Sequence, residues 1–212
     1  MNHKLLALGG DGIGPEVLES GLSILEAISK KNKINFEISF DLIGGTCWDK
    51  YGTFCRNSTI EKAIESDAIL VGAVGGPKWD AMKIKGDPEE QDGLMCLRKK
   101  LGAFFGIRPA KNYKSLQNII PFNKEYVQNS EIIILREMCG GVMFSKPRGL
   151  KFLENGKRYG FDTAGYNEFE IRKFAKCGFE LAKMYNKNII SIDKSNVMES
   201  YRLWRDVVQE VS

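Results

Sequence analysis

The first apolar positions of the chain follow the spacing of a strand, a turn and then a helix. Lys4–Leu8 is a short apolar run, and glycines interrupt it directly afterwards. From about Pro15, apolar residues recur at three- and four-residue steps, the period of one helix face, and proline suits the first helical turn. The recurring positions are Leu18, Leu22, Leu25 and Ile28. The pattern therefore predicts a strand, a tight turn and a helix.

Strands and helices then continue to alternate. Apolar and polar residues alternate from Ile34 to Leu42, through Phe40, as in a half-buried strand. Ser58 and Glu61 have the spacing of a capping box, which predicts the start of a short helix. Ala68–Val74 is a continuous apolar run that indicates a buried strand, and it ends at glycines. This alternation indicates an α/β fold with a parallel sheet.

The second half of the chain is less regular but predicts the same kinds of element. Its predicted elements are a buried strand Glu131–Leu135, a hairpin or arm in Lys151–Tyr166, a helix Asn167–Tyr185, a strand Asn188–Ile192 and a helix Met198–Val211. The apolar positions of the first of these helices repeat with helical spacing, so we expect them to face a core.

Charge and composition exclude several classes of protein. The net charge is +4, and the 31 lysines and arginines are spread along the chain rather than massed in one block. This argues against a nucleic-acid-binding arm or a basic membrane patch, and it suits a small anionic substrate equally well. The hydrophobic share of 43% is ordinary for a globular domain. No apolar run has the length of a membrane span, and the N-terminal run is too short for a signal peptide.

Cysteine and histidine usage narrows the chemistry. The 5 cysteines form no pair with metal-ligand or redox-motif spacing, so we interpret them as reduced thiols in a cytoplasmic protein. His3 is the only histidine, which excludes catalytic triads and metal sites built on histidines.

The glycine-rich turns have two interpretations. Gly10–Gly14 is similar to a dinucleotide-binding fingerprint, but Pro15 stands where the third glycine belongs. The acidic residue expected after the next strand is ambiguous between Glu37 and Asp41. A tight strand-to-helix turn is the better interpretation of this segment alone. The glycines at Gly75 and Gly76 likewise allow either a close ligand or a simple turn.

Three arginines and one lysine are candidate binding groups, and Arg136 and Lys194 each stand at the end of a predicted strand. Arg98, Arg108 and Arg136 could grip carboxylates bidentately, although salt-bridged surface arginines are the common alternative. Lys194 follows a predicted apolar strand. A partly buried lysine can lose its proton and act as a base, whereas an exposed lysine is the ordinary case.

Taken in order, these segments resemble the 3-isopropylmalate dehydrogenases of the isocitrate/isopropylmalate family of β-decarboxylating dehydrogenases. The matching stretches are GDGIGPEV, GAVGGPKWD, GLMCLRK, IRPA, LREMCGG, KPRG and IDKSNVMES. Their order and spacing match the N-terminal portion of the family. The resemblance implies a two-domain α/β fold. Residues 1–103 would belong to the dinucleotide-side domain and residues 104–212 to a second, dimer-forming substrate domain.

The resemblance also implies a function and a set of site residues. The reaction is NAD-dependent oxidation and decarboxylation of 3-isopropylmalate in leucine biosynthesis. Arg98, Arg108 and Arg136 match the residues that hold the carboxylates, and Leu94 the contact to the isopropyl group. Lys194 matches a base that reaches across a homodimer. The positions matching the NAD surface are Gly75, Gly76, Pro77, Lys78, Trp79, Asp80, Gln91 and Asn196.

Two departures from the family pattern lead us to expect an inactive chain. Met143 stands at the family's catalytic tyrosine position, and a thioether has no proton to donate. The family continues further, with aspartates that bind Mg²⁺ or Mn²⁺, so we expect no metal ligands in these 212 residues. A separate C-terminal polypeptide could supply them.

Alternative functions remain open at this point. Within the same class, the substrate could be isocitrate, tartrate or homoisocitrate, although Leu94 favours an apolar substituent. Outside it, the chain could be a non-catalytic remnant, half of a split enzyme, or a binding module for a di- or tricarboxylate.

Overall fold

The computed structural model describes residues 2–82, 86–128 and 130–212, and the chain divides into two compact units, Met1–Gly102 and Ala103–Ser212. The strands are β1 Asn2–Gly10, β2 Asn35–Asp41, β3 Ala68–Ala73, β4 Phe105–Lys111, β5 Glu131–Glu137, β6 Gly149–Phe152 and β7 Arg158–Phe161. The helices are α1 Gly14–Asn32, α2 Gly45–Tyr51, α3 Asn57–Ile64, α4 Pro77–Asp80, α5 Pro88–Gln91, α6 Gly93–Leu101, α7 Lys124–Val127, α8 Glu168–Tyr185 and α9 Glu199–Val211. Short 3-10 helices occupy Lys114–Leu116 and Gly141–Met143.

The first unit is built on a parallel sheet, which confirms the predicted α/β fold. Its strand order is β2-β1-β3, so the first strand lies in the centre, and both of its neighbours run parallel to it. The apolar run predicted from the sequence lies in the central strand, and its residues 5–8 are buried because helices pack on both faces of such sheets. The core cluster comprises Leu6, Leu8, Ile43, Ala63 and Leu97.

Three expectations for this unit were wrong in detail. Strand β3 was predicted to be buried, but it is half-buried from Ile69 to Ala73 and exposed at Ala68. Phe40 is 61% exposed and Ile28 is 44% exposed, although both fit the apolar periods. The periodicity of apolar residues shows which side chains lie on the same face of an element. It does not show whether another element covers that face. The helix α3 begins at Asn57 with Arg56 at its N-cap and no side-chain cap, so Ser58 lies inside the first turn and forms no capping box. The capping boxes in the described ranges form before α5 and α8 instead.

The second unit contains two antiparallel strand pairs and two long helices. Strands β4 and β5 form one pair, and β6 and β7 form the predicted hairpin. The pair β4–β5 packs against α8, since Phe105 lies 5.1 Å from Phe174 between ring centroids and a Cβ on Gly178 would meet Leu135. Helix α9 packs on α8 in turn, with Trp204 5.5 Å from Phe174. Its residue Val207 is buried.

The predicted strand Asn188–Ile192 is not a strand. In the described part of the chain, none of the strands pairs with this segment, which has no regular secondary structure. Ile190 and Ile192 are each 86% exposed. Apolar composition alone cannot make a strand, because its backbone groups need a neighbouring strand for their hydrogen bonds.

None of the described helices is long and apolar enough to cross a membrane. All five cysteines have free thiols, as expected from their spacing.

Candidate functional site

A buried carboxylate organises the turns at the carboxyl ends of the parallel strands. Asp11 is 2% exposed, and its two oxygens accept backbone N–H groups from three residues. Oδ2 accepts from Gly45 at 2.8 Å and from Gly75 at 2.9 Å, and Oδ1 accepts from Thr46 at 2.7 Å. Such hydrogen bonds to a carboxylate are stronger than neutral ones. Asp11 therefore holds three strand ends in one arrangement.

The glycine turn after β1 has a structural role, because it lets the ends of β1 and β3 meet before α1 begins. Gly10 has φ +76°, and a Cβ there would lie 1.9 Å from the Ala73 carbonyl oxygen, so the two strand ends can meet only at a glycine. The Gly14 N–H donates to the Asp11 carbonyl at 2.8 Å, which closes a tight turn before α1. The interpretation as a strand-to-helix turn is confirmed.

The acidic residue at the end of β2 is engaged by other side chains. Asp41 accepts hydrogen bonds from Lys62 at 2.9 Å and from Arg56. Burial opposes ionisation, but the hydrogen bonds from Lys62, from the Leu42 N–H and from Arg56 hold the pKa of Asp41 below its ordinary value. Because both oxygens are used within the protein, Asp41 does not have the free carboxylate that a ribose-binding residue needs.

A cavity of about 210 Å³ lies beside the Asp11 turns. Four of the predicted cofactor residues line it: Gly75, Trp79, Asp80 and Gln91. Its other walls include Gly44, Gly45, Asp92 and Gly93. Whole-ligand pockets usually measure about 300–1,000 Å³. The cavity is therefore too small to enclose a whole dinucleotide.

The segment after Gly75 forms α4 and is held to α2. Pro77 and Lys78 begin this helix directly after Gly76. Lys78 Nζ lies 2.6 Å from Asp49, and Trp79 Nε1 donates to the same carboxylate at 3.2 Å. These two hydrogen bonds lower the pKa of Asp49. Lys78 is therefore directed at Asp49 and does not line the cavity. Trp79 contacts Asp49 through its indole nitrogen and also lines the cavity, as does Asp80.

Leu94 and Arg98 lie one turn apart on α6, so they share a helix face. Asp92 caps this helix by accepting the N–H groups of Leu94 at 2.7 Å and Met95 at 3.0 Å. Both candidate residues are half-buried, while Leu97, one turn from Leu94, is buried in the core. The structure therefore places an apolar group and a guanidinium side by side, as a carboxylate with an apolar substituent would require.

Arg108 and Arg136 share one face of the β4–β5 pair. Arg136 lies opposite Gly106, and Arg108 lies two residues further along β4, which makes the arginines diagonal neighbours. The expectation of a buried strand was wrong here, because Ile132 and Ile134 on this face are 60% and 52% exposed. Arg98 belongs to the first unit, and its convergence with these two arginines stays a prediction.

Met143 contacts one of the strand arginines. Arg136 Nη2 donates to the Met143 sulfur at 3.3 Å, and a thioether is a weak acceptor that a carboxylate can replace. Nearby, Glu137 is buried and accepts the N–H groups of Cys139 at 2.8 Å and Gly140 at 2.9 Å. Burial first, and then the Glu137 charge, raise the pKa of Tyr166 to about 12.

The segment around Lys194 is fixed by α9. Arg205 donates to Asp193 through Nε at 2.9 Å and through Nη2 at 2.8 Å, and the Ser195 N–H donates to the same carboxylate at 3.0 Å. Arg205 and then the Ser195 N–H lower the pKa of Asp193 to about 2. Lys194 and Asn196 are exposed. The partial burial that would prepare Lys194 as a base is absent from the described part of this unit.

Local sequence patterns do not single out Asp11, Glu137 and Asp193, the acids that hold these segments in place. Asp11 and Glu137 each stand next to a glycine turn, which was the available signal, but an acid beside a turn is common. Among the described residues no cluster of three or more histidine, cysteine or acidic side chains could hold a metal ion, so these residues do not fit a Mg²⁺ or Mn²⁺ site.

The first unit is an open α/β sheet with glycine turns at the carboxyl ends of its parallel strands. Proteins of this class generally bind ligands at that edge of the sheet. The chain belongs to the isocitrate/isopropylmalate dehydrogenase family, whose sequence model matches residues 4–212. It is 43% identical over 212 residues to 3-isopropylmalate dehydrogenases of Xanthomonas euvesicatoria pv. vesicatoria and of Pseudomonas fluorescens. Both matches cover the whole of this chain, and the chain spans 59% and 58% of the length of those two proteins.

Solved structures show the same fold. An isocitrate dehydrogenase from Methylococcus capsulatus matches 99% of the chain with a TM-score of 0.80 at 16% identity, over 56% of its own length. A β-decarboxylating dehydrogenase from Thermococcus kodakarensis matches 99% with a TM-score of 0.69 at 24% identity, over 54% of its length.

Proposed function

We propose that this chain supplies the substrate arginines, part of the NAD surface and the base lysine of a 3-isopropylmalate dehydrogenase in leucine biosynthesis. The observation that carries the proposal is the 43% identity to relatives of that name along all 212 residues. The cavity beside Gly75 and the shared helix face of Leu94 and Arg98 support it. NAD would supply the hydride acceptor.

Each proposed residue has one task. The arginines bind the malate carboxylates, and Leu94 contacts the isopropyl group. Lys194 takes the proton of the substrate hydroxyl, in the second subunit of a homodimer. Asn196 and the Gly75–Asp80 segment, together with Gln91, contact NAD. The described residues do not fit a divalent metal, and no step here depends on one.

Met143 favours a second candidate function, binding of the acid without turnover. The enol formed by decarboxylation needs a proton donor, and the thioether at the family's tyrosine position cannot donate. Binding does not need that proton, because the diagonal pair Arg108 and Arg136 can hold a carboxylate in either case.

Chimeras distinguish the two functions. The chain is fused to the part of the Xanthomonas relative that follows the matched region, with Met143 or with Met143→Tyr, and NADH formation is measured with 3-isopropylmalate and Mn²⁺. We expect the chain alone to form no NADH above an enzyme-free control. We expect the Met143→Tyr chimera to be about 10²–10⁴-fold faster than the Met143 chimera.

Two controls accompany the chimeras. Lys194→Met in the Met143→Tyr chimera should abolish turnover while leaving substrate binding by calorimetry intact. Isocitrate should react more slowly than 3-isopropylmalate if Leu94 contacts the substituent. A folded Met143→Tyr chimera that binds 3-isopropylmalate without turnover would favour the binding function, and one that does not bind it would refute both.

A further inference from the structure

Two cysteines of the first unit lie at one packing contact. Cys55 lies just before α3, and Cys96 lies in α6, which packs against α3. The first residue of α6, Gly93, approaches the Phe54 carbonyl so closely that a Cβ would lie 2.4 Å from that oxygen. Cys96 follows Gly93 by three residues, and Cys55 follows Phe54 directly. The contact therefore brings the two cysteines together from positions far apart in the chain.

This packing places the two thiols near enough to influence each other. Burial, and then the Cys96 thiol, raise the pKa of Cys55 to about 12. Burial also raises the pKa of Cys96, against the opposing effects of the neighbouring Cys55 thiol and of the Lys100 ammonium. Cys55 is 8% exposed and Cys96 is half-buried, so an oxidant in solution reaches Cys96 more easily. Both thiols are free.

We propose that Cys55 and Cys96 form a disulfide in the folded protein when a low-molecular-weight disulfide, such as oxidised glutathione, is present. The Cys96 thiolate attacks the small disulfide and releases one reduced thiol, which leaves a mixed disulfide on Cys96. The Cys55 thiolate then attacks the Cys96 sulfur and releases the second reduced thiol. The two cysteines lose two electrons, and their two protons end on the two released thiols.

The bond would join α6 to the loop before α3. Leu94 and Arg98 lie on α6, so oxidation would restrain the helix that carries them. Because the thiolate is the reactive form and both pKa values are raised, the reaction is slow at neutral pH and gains about tenfold in rate per pH unit. The proposal does not depend on the function of the chain.

Peptide mapping by mass spectrometry tests the pair. The folded chain is incubated with oxidised glutathione at pH 7, 8 and 9, quenched with acid and digested without reduction. We expect a linked peptide containing Cys55 and Cys96, with the loss of two hydrogen atoms, that forms faster at each higher pH. A urea-unfolded sample should instead give mixed pairings among the five cysteines.

Variants identify the role of each sulfur. Cys55→Ser should retain a glutathione adduct on Cys96, and Cys96→Ser should form no disulfide with Cys55. Cys177→Ser, a matched control in the second unit, should leave the linked peptide unchanged. A folded wild-type chain that accumulates glutathione adducts without the internal link, or that links Cys47 to Cys55, would overturn the proposal, and this result needs no variant to fold.

Discussion

The two units each use an aspartate to hold a candidate site segment, but in different ways. In the first unit, the buried Asp11 binds backbone N–H groups. In the second unit, Asp193, beside the candidate base Lys194, binds the exposed Arg205, and this ion pair is called the Asp193 clamp. Asp11 is enclosed by three backbone N–H groups at the carboxyl-end edge of the parallel sheet. Asp193 is held by Arg205 of α9, whose side chain is 54% exposed. The first arrangement is inseparable from the fold of its unit, because it joins three strand ends. The second joins one irregular segment to α9.

Removing the Asp11 carboxylate should have the largest effect. Asp11→Ala leaves three N–H groups without acceptors in a buried site, at about 1–3 kcal/mol for each group. We expect the first unit to lose at least about 3 kcal/mol of unfolding free energy, measured by urea titration with tryptophan fluorescence. The exposed Asp80→Asn should stay within about 0.5 kcal/mol of wild type. Equal effects of the two variants would contradict the role of Asp11.

A pair of glycine substitutions tests how tightly the cavity wall is packed. A Cβ on Gly45 would lie 2.0 Å from Trp79 Cδ2, so Gly45→Ala must displace the indole and should cost about 1–3 kcal/mol. Gly21→Ala in α1 meets nothing within 4 Å and should instead stabilise by about 0.5–1 kcal/mol. Opposite signs in thermal unfolding are the expected result. A Gly45→Ala variant as stable as Gly21→Ala would show that Trp79 does not close this wall.

Breaking the Asp193 clamp should have a local effect. Arg205→Met removes the bidentate partner, so amide hydrogen exchange around Ser195 should accelerate while global unfolding changes little. Arg158→Met, an exposed arginine of the hairpin, serves as the control and should leave this exchange unchanged. If Arg205→Met unfolds the whole unit, the contrast between the two acids is wrong.

The smallest predicted effect is the loss of the Asp193 clamp in acid, when the Asp193 carboxylate is protonated. The pKa of Asp193, about 2, lies below the ordinary aspartate value. The stabilisation from the clamp is therefore fully present above about pH 4. It is lost as the pH falls through about 2. Exchange protection at Ser195 should therefore fall over that window in the wild type and show no such step in Asp193→Asn. An unchanged profile in Asp193→Asn would assign the transition to another acid.

Much of the first unit could be predicted from local patterns. The central strand, the glycine turn before Pro15 and the helix after it follow from apolar period and turn chemistry. The segment from Gly75 to Asp80 was also a predicted site, and part of it lines the cavity. Asp11 was missed because its partners lie 34 and 64 residues away in the chain, so no local pattern contains them.

The second unit shows where local patterns fail. Asn188–Ile192 is apolar enough for a strand but remains irregular, because none of the described strands lies beside it. Lys194 follows an apolar run, yet it is exposed. Arg108 and Arg136 could be identified as candidates, but only the register of β4 against β5 shows that they share a face.

By itself, the sequence determined the α/β fold, most of the strands, the three longest helices α1, α8 and α9, the free thiols and the family. Each of these depends on residues close together in the chain or on motif order. The tertiary structure decided which apolar faces are covered, which acids hold the turns, and that Cys55 lies near Cys96. Burial and hydrogen bonding depend on partners distant in sequence, so they emerge only when the elements pack.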